Sequence, residues 1–208
     1  MPVPTYKEEN ATYPRYYPNQ RLTVYAPDWY HRGNLQHRHT SEIISSKSMY
    51  ASISQNTSKY FTPLMLNTIH DLKRNGILGR IDLVTIIPKS KGRGYSPALE
   101  AVGGDVATYL KAPYERILIS QITSEQKGCD SAEKRYNNVK NSISLVRPLK
   151  YTEKEILILD DVKVTGMTIL ETEKIMRKAG ANRILPVCLA IQRNLDYFNK
   201  KEALKWKS

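Results

Sequence analysis

Three largely apolar runs mark out the chain: Ile81 to Ile87 (IDLVTII), Ile156 to Leu159 (ILIL) and Ile184 to Ile191 (ILPVCLAI). Runs that lack a steady polar alternation are what strands buried on both faces of a parallel sheet require. Shorter strands are expected over Arg116–Ser120 and Ser142–Val146. Between them the apolar spacing changes to three and four. Phe61, Leu64, Met65, Ile69 and Leu72 predict a helix from Ser58 towards Leu78, stopped by Asn75 and Gly76. Leu99, Val102, Val106 and Leu110 predict a second over Tyr95–Leu110, and Ile169, Leu170, Ile175 and Met176 a third that ends near Ala179 and Gly180. Gly103 and Gly104 cost the second helix roughly 1 kcal/mol each against alanine, so close packing on a neighbour is the expected reason for them. The pattern predicts an α/β protein with a buried, mainly parallel sheet.

Two regions lack such periodicity. In residues 1 to about 40, Tyr13, Tyr16, Tyr17, Tyr25, Trp29 and Tyr30 are interleaved with Pro14, Pro18, Pro27 and several arginines, which predicts an extended arm or a few short strands. Such an arm is expected to pack on its own domain or a second copy in preference to stacking on nucleic-acid bases. Gln121 to Asn141 is polar with few apolar anchors and is expected as a long mobile loop. The expected organisation is residues 1–57 as an amino-terminal arm, 58–193 as the core and 194–208 as a basic tail.

A chain of 208 residues suits one substantial α/β domain with an appendage. Its formal charge of +12 calls for an anionic partner, whether a polyphosphate, nucleic acid or an acidic protein. Cys129 and Cys188 are far apart and form no CxxC pair, so neither a zinc site nor a disulfide framework is indicated. His31, His37 and His39 lack a cysteine or acidic partner at ligand spacing. No stretch approaches the roughly 20 apolar residues of a membrane span, and the first ten residues, MPVPTYKEEN, lack a signal-peptide core. A cytoplasmic location without membrane attachment is expected.

The chemistry gathers after the second apolar run. Asp160 and Asp161 end the expected strand, and Val162, Lys163, Val164, Thr165, Gly166, Met167 and Thr168 lead into a helix. Ligands of open α/β sheets sit at the carboxyl ends of strands, where free N–H groups of a helix start favour a phosphate. Gly166 lets the backbone approach, while Thr165 and Thr168 add hydroxyl donors. Two carboxylates beside a phosphate are better suited to sugar hydroxyls or Mg²⁺, so a sugar phosphate is the economical ligand. Three other readings compete. A Walker B strand needs a Gly-Lys-Ser/Thr loop that is absent, a haloacid-type phosphatase needs an acid where Val162 stands, and acids at a strand end can simply cap a helix. The run Pro88, Lys89, Ser90, Lys91, Gly92, Arg93, Gly94 follows another buried strand and is a second anion site by the same argument.

The segment ILILDDVKVTGMT resembles the signature of type I phosphoribosyltransferases. The resemblance implies binding of phosphoribosyl pyrophosphate (PRPP), with Asp160 and Asp161 on the ribose hydroxyls and Val164 to Thr168 around the 5′-phosphate. Lys163 stands where the family usually has an aliphatic residue; it is expected either to aim at the phosphate or to face solvent. Further matches are to the competence-associated, ComF-like branch: Pro88, Arg93-Gly94-Tyr95, Gln126 and Arg135-Tyr136-Asn137-Asn138-Val139, in that order, over about Ile81 to Arg193. Ser96-Pro97 replaces the usual Asn-Gln, and the four-cysteine zinc module is absent, so the first 80 residues lie outside the resemblance.

The implied fold is that of type I phosphoribosyltransferases, a central mainly parallel sheet flanked by helices, with a small hood from the arm and tail. The implied reaction displaces pyrophosphate from the ribose by a nitrogen nucleophile. Lys89, Ser90, Lys91 and Arg93 would stabilise the leaving pyrophosphate, and a flexible loop bearing Gln126, Arg135 and Asn138 would close over it. Asp160, Asp161 and Arg135 are the expected catalytic residues, with Mg²⁺ as cofactor held indirectly through the two acids. The expected partners are PRPP, a nitrogenous acceptor, a second copy of the chain as a homodimer and, through the basic surface, nucleic acid. The alternative is a non-catalytic regulatory protein of this fold that acts by binding DNA or a protein.

Overall fold

The structure is a computed structural model that describes residues 5–10, 22–31, 34–46, 50–89, 94–121, 132–146 and 151–192. Along the chain the elements are β1 (Tyr6–Asn10), β2 (Leu22–Ala26), α1 (Arg38–Ser45), α2 (Ala51–Arg74), β3 (Leu83–Ile86), α3 (Pro97–Leu110), β4 (Leu118–Ser120), α4 (Ala132–Val139), β5 (Ile143–Leu145), β6 (Glu155–Lys163), α5 (Met167–Lys178) and β7 (Arg183–Ile191). A five-stranded sheet has the order β1-β2-β7-β6-β3. Strands β3, β6 and β7 are mutually parallel, with Leu159 of β6 level with Ile86 on one side and Val187 on the other. This is the mainly parallel sheet flanked by helices that the apolar runs predict.

The ILIL run explains the layering. Its side chains alternate between two cores, Ile156 and Ile158 into one with Leu170, Met176 and Val139, Leu157 and Leu159 into the other with Phe61, Met65, Ile69, Val102 and Val106. Helices α4 and α5 therefore cover one face, and α2 and α3 the other. Helix α3 has an N-cap at Ser96, whose hydroxyl accepts the Leu99 N–H, and Pro97 in its first turn. Of the expected arm, β2 pairs with β7 in parallel at Tyr25 and Val187, and β1 pairs antiparallel with β2. The described part of the expected hood is thus continuous with the main sheet.

Several boundaries differ from the sequence expectations. Helix α2 starts at Ala51, so the expected boundary at residue 58 falls inside it. The strand expected over Arg116–Ser120 is the shorter β4, Leu118–Ser120, and it pairs with β5 in a separate two-stranded sheet, while Tyr114 just before it forms an isolated parallel bridge with Val84 of β3. The expected loop over Gln121–Asn141 contains helix α4, because Tyr136 and Val139, three apart, supply an apolar edge that packs into the core of α5. Cys188 is fully buried, and burial pushes its thiol well up, as suits a small core residue. Cys129 and the tail lie outside the described residues. No helix among the described residues is long and apolar enough to cross a membrane.

The two glycines of α3 separate. A Cβ at Gly103 would lie 2.9 Å from Tyr114 Cε2 and 3.2 Å from Ile86 Cγ2, whereas one at Gly104 would meet nothing within 4 Å. Gly103→Ala should therefore destabilise the protein by about 1–3 kcal/mol through overpacking, and Gly104→Ala should stabilise it by up to about 1 kcal/mol. Urea unfolding of the two variants should move in opposite directions. On α5, burial pushes the Glu173 carboxyl up to about 7, against the opposing pull of Arg177. A folded value raised above the unfolded one gives a contribution fully present below pH ~4.5 and lost as the pH rises through about 7. Glu173→Gln should flatten that part of the stability curve, read as melting temperature between pH 5 and 8.

Candidate active site

Strand β6 does not stop at the acids, as its sequence suggests, but continues through them to Lys163, with Asp160 level with Cys188 and Lys163 with Ile191. Backbone pairing to β7 carries the strand past the end of its apolar run. The acids are thus held on rigid sheet. Both are half-buried, and each carboxylate accepts the next residue's amide: Asp161 N–H donates to Asp160 Oδ1 at 2.8 Å, and Val162 N–H to Asp161 Oδ1 at 2.6 Å. These bonds fix the rotation of two adjacent carboxylates at the sheet end.

The turn that follows leads directly into α5. Gly166 is the N-cap at φ 78°, a left-handed conformation that favours glycine. Having no side chain, it offers the helix no cap; Thr165 Oγ1 accepts the Met167 N–H at 3.4 Å. The first turn of α5 carries no acidic residue, while Arg177 and Lys178 sit in the last turn. The positive pole of the helix is left without a carboxylate, which suits an anion. Val164 and Thr168 are partly exposed, and Thr165, Gly166 and Met167 are buried.

Lys163 corrects the expectation for it. Its side chain is 1% exposed, and Nζ lies 2.8 Å from Glu8 Oε1 of β1. The ammonium points neither to solvent nor outward as a phosphate hook, because an isolated buried charge is too costly and Glu8 compensates it.

The residues that directly follow β3 arrive at the same end of the sheet. Ile87 N–H donates to Leu159 O at 2.9 Å, which sets the residues after β3 beside Asp160. Lys89 N–H donates to Gly94 O at 2.8 Å and closes the loop that carries the intervening residues. Ser90, Lys91 and Arg93 lie outside the described residues, as does Gln126. Arg135 and Asn138 are on α4 and not in an open loop, a correction that follows from the packing of Tyr136 and Val139. The Asn141 N–H just beyond α4 donates to Glu171 Oε1 of α5 at 3.0 Å. That bond ties the end of α4 to the helix of the candidate phosphate turn. Among the histidines, His39 is buried and engaged with Leu189 O at 2.8 Å and Tyr60 Oη at 3.3 Å, and burial lowers its pKa. It is a core residue.

Two contacts were missed from sequence, Glu8 and Leu22. Both come from the amino-terminal strands and reach the turn after β6, and neither belongs to a recognisable motif. A Cβ at Gly166 would run into Leu22 Cδ2 and lie 3.5 Å from Lys163 Cε.

With this geometry in place, comparison with known proteins gives the following. Competence protein F of Haemophilus influenzae is 28% identical over 128 residues, covering 58% of this chain and 55% of that protein. The chain resembles a competence protein. It spans about half the length of this curated relative, and the ComF-like resemblance expected from the motifs is met. No protein-family model matches. Among solved structures, the chain is similar to glutamine phosphoribosylpyrophosphate amidotransferase from B. subtilis at 24% identity and TM-score 0.38, covering 57% of this chain and 24% of that one. It is also similar to a purine phosphoribosyltransferase from Pyrococcus horikoshii at 18% identity and TM-score 0.40, covering 64% of this chain and 73% of that one. These are partial likenesses.

The contact between Gly166 and Leu22 yields a stability test. Gly166→Ala should cost about 1–2 kcal/mol for the left-handed backbone, with a further loss from the Leu22 contact. Combined with Leu22→Ala, the total should fall short of the sum by about 1 kcal/mol or more. Strict additivity in a chemical-denaturation cycle would show that Leu22 does not press on the turn.

Proposed function

We propose that this chain is a cytoplasmic phosphoribosyltransferase, binding PRPP with Mg²⁺ and passing the phosphoribosyl group to a nitrogen nucleophile with release of pyrophosphate. The observation that carries this reading is the pair of carboxylates, each fixed by a backbone amide, at the end of a buried parallel strand that turns through Thr-Gly-Met-Thr into a helix start free of acids. Asp160 and Asp161 would accept hydrogen bonds from the ribose hydroxyls. Val164, Thr165, Gly166, Met167 and Thr168 would hold the 5′-phosphate through backbone and hydroxyl donors. Lys89, with Ser90, Lys91 and Arg93 of the same loop, would balance the charge that builds on the departing pyrophosphate. Arg135 and Asn138, on α4, would act from the helix that packs against α5. The reaction breaks the bond between ribose C1 and the pyrophosphate oxygen and forms one from C1 to nitrogen, so catalysis comes from positioning and charge balance.

The residues present fit Mg²⁺ in an indirect role. Among the described residues no group of three or more His, Cys, Asp or Glu side chains could hold a metal ion, and two carboxylates with substrate oxygens is the usual provision for this cation. When bound, it would supply positive charge to the pyrophosphate.

A second reading is favoured by the similarity to Competence protein F and by the charge of +12. The chain would then act in competence by binding DNA or a protein partner, with or without PRPP. Incubating the protein with PRPP, Mg²⁺ and a panel of nucleobases separates the two. Base-dependent pyrophosphate release supports the enzyme, while its absence together with salt-dependent DNA binding supports the second reading.

Replacing Asp160 and Asp161 together by asparagine should leave the melting temperature within a few degrees of wild type. PRPP binding in the presence of Mg²⁺ should weaken at least about tenfold, since charge-assisted bonds are worth about 1.5–3 kcal/mol. Calorimetry that finds unchanged affinity would remove the ribose role.

A further inference from the structure

We propose that Glu8 is a positioning residue for the phosphate turn, so that the amino-terminal hairpin is a working part of the site; the functional half of this inference rests on the PRPP reading above. Glu8 lies 155 positions before Lys163, on a strand that never touches β6 by backbone pairing. Its carboxylate nevertheless reaches Lys163 Nζ at 2.8 Å, with the lysine side chain 1% and the glutamate side chain 17% exposed. The same hairpin supplies Leu22, which lies against the one face of Gly166 where a side chain would project. A charged and an apolar contact from one hairpin thus bracket the residues between the last strand position and the helix N-cap.

The choice of a charged pair for this place needs a reason. Packing alone does not require it, since an aliphatic side chain could fill much of the same buried space. Net stability does not require it either, because a buried ion pair is commonly no better than an apolar pair of similar volume. What an ion pair adds is a set distance: the two buried charges can separate only by leaving one uncompensated, whereas apolar side chains can slide. Lys163 is both the last residue of β6 and the root of the turn. Fixing its side chain to Glu8 fixes where the backbone leaves the sheet, and therefore how Val164 to Gly166 present their amides.

This account differs from a purely electrostatic one in the sign it gives. If the Lys163 charge acted on the phosphate directly, removing the Glu8 carboxylate would unmask a cation and strengthen phosphate binding. If the pair positions the turn, the same change weakens it.

The test uses the full chain, ribose-5-phosphate as probe, and hydrogen exchange of the segment 161–170 without ligand. Glu8→Gln should lower ribose-5-phosphate affinity tenfold or more and speed exchange in that segment tenfold or more, leaving exchange in β3 and α3 as in wild type. Glu8→Asp, which keeps the charge on a shorter arm and retains folding should the glutamine variant lose it, should give a smaller change in the same direction. The double variant Glu8→Gln with Lys163→Met, free of both charges, should regain thermal stability but not affinity or protection. Affinity equal to or above wild type in Glu8→Gln would overturn the proposal, as would affinity that returns together with stability in the double variant. If wild type itself fails to bind ribose-5-phosphate, the PRPP reading falls. Exchange in segment 161–170 then still decides whether Glu8 sets the turn: unchanged rates in Glu8→Gln would sink that claim by itself.

Discussion

The structure depends on the burial of four consecutive apolar residues, Ile156 to Leu159, between two helical layers. All four are at most 1% exposed, and they are shared between the two cores. A strand covered on both faces and paired on both edges has no tolerance for charge along its middle, because an unpaired carboxylate there would lose its hydration without compensation. Charge can enter only where the helical layers end. Asp160 and Asp161 stand at that limit, half-buried and held by the backbone amides that follow them. The acids are therefore at the sheet end for the same reason that the strand is buried.

Parallel pairing then assembles the rest. Because β3 and β6 run in the same direction and in register from Leu83 and Ile156 to Ile86 and Leu159, the loops that follow them emerge side by side. The Ile87 to Leu159 bond extends that register to the first residue past β3. Strand direction thus brings Ile87, two residues before Lys89, into contact with Leu159, the residue before Asp160. At the other edge, β2 joins β7 through Tyr25 and Val187, and this brings Glu8 and Leu22 within reach of the turn after β6.

What could be read from the sequence follows this division. The buried strands, the helices with three-and-four spacing and the acids after the apolar run are local patterns, and each is found, with shifted ends: α2 begins at Ala51 and β6 continues to Lys163. Gly103 was legible as a packing glycine, but Gly104 beside it was not distinguishable, because only the neighbouring Tyr114 and Ile86 separate them. Helix α4 escaped notice because it has few anchors and its stability comes from contact with α5. The partner of Lys163 was out of reach. Its burial depends on a glutamate in β1, and nothing in TYKEEN marks Glu8 as a residue that reaches β6.

The arrangement of charge also limits what the site would accept. Two carboxylates fixed at the strand end repel a bare phosphate placed against them, and the nearest buried cation, Lys163, is already balanced by Glu8. A ligand that presents phosphate alone, such as a nucleic-acid backbone, offers the acids no hydroxyls to accept from. A ligand that offers hydroxyls to the acids and phosphate to the helix start satisfies both at once, since acids accept and amides donate. On the proposed reading, a sugar phosphate fills both roles at this end of the sheet. If the chain binds nucleic acid, as its overall charge allows, a surface away from the acids is the better place for the backbone. The two activities would then be separable by mutation, with the acids affecting one and surface lysines and arginines the other.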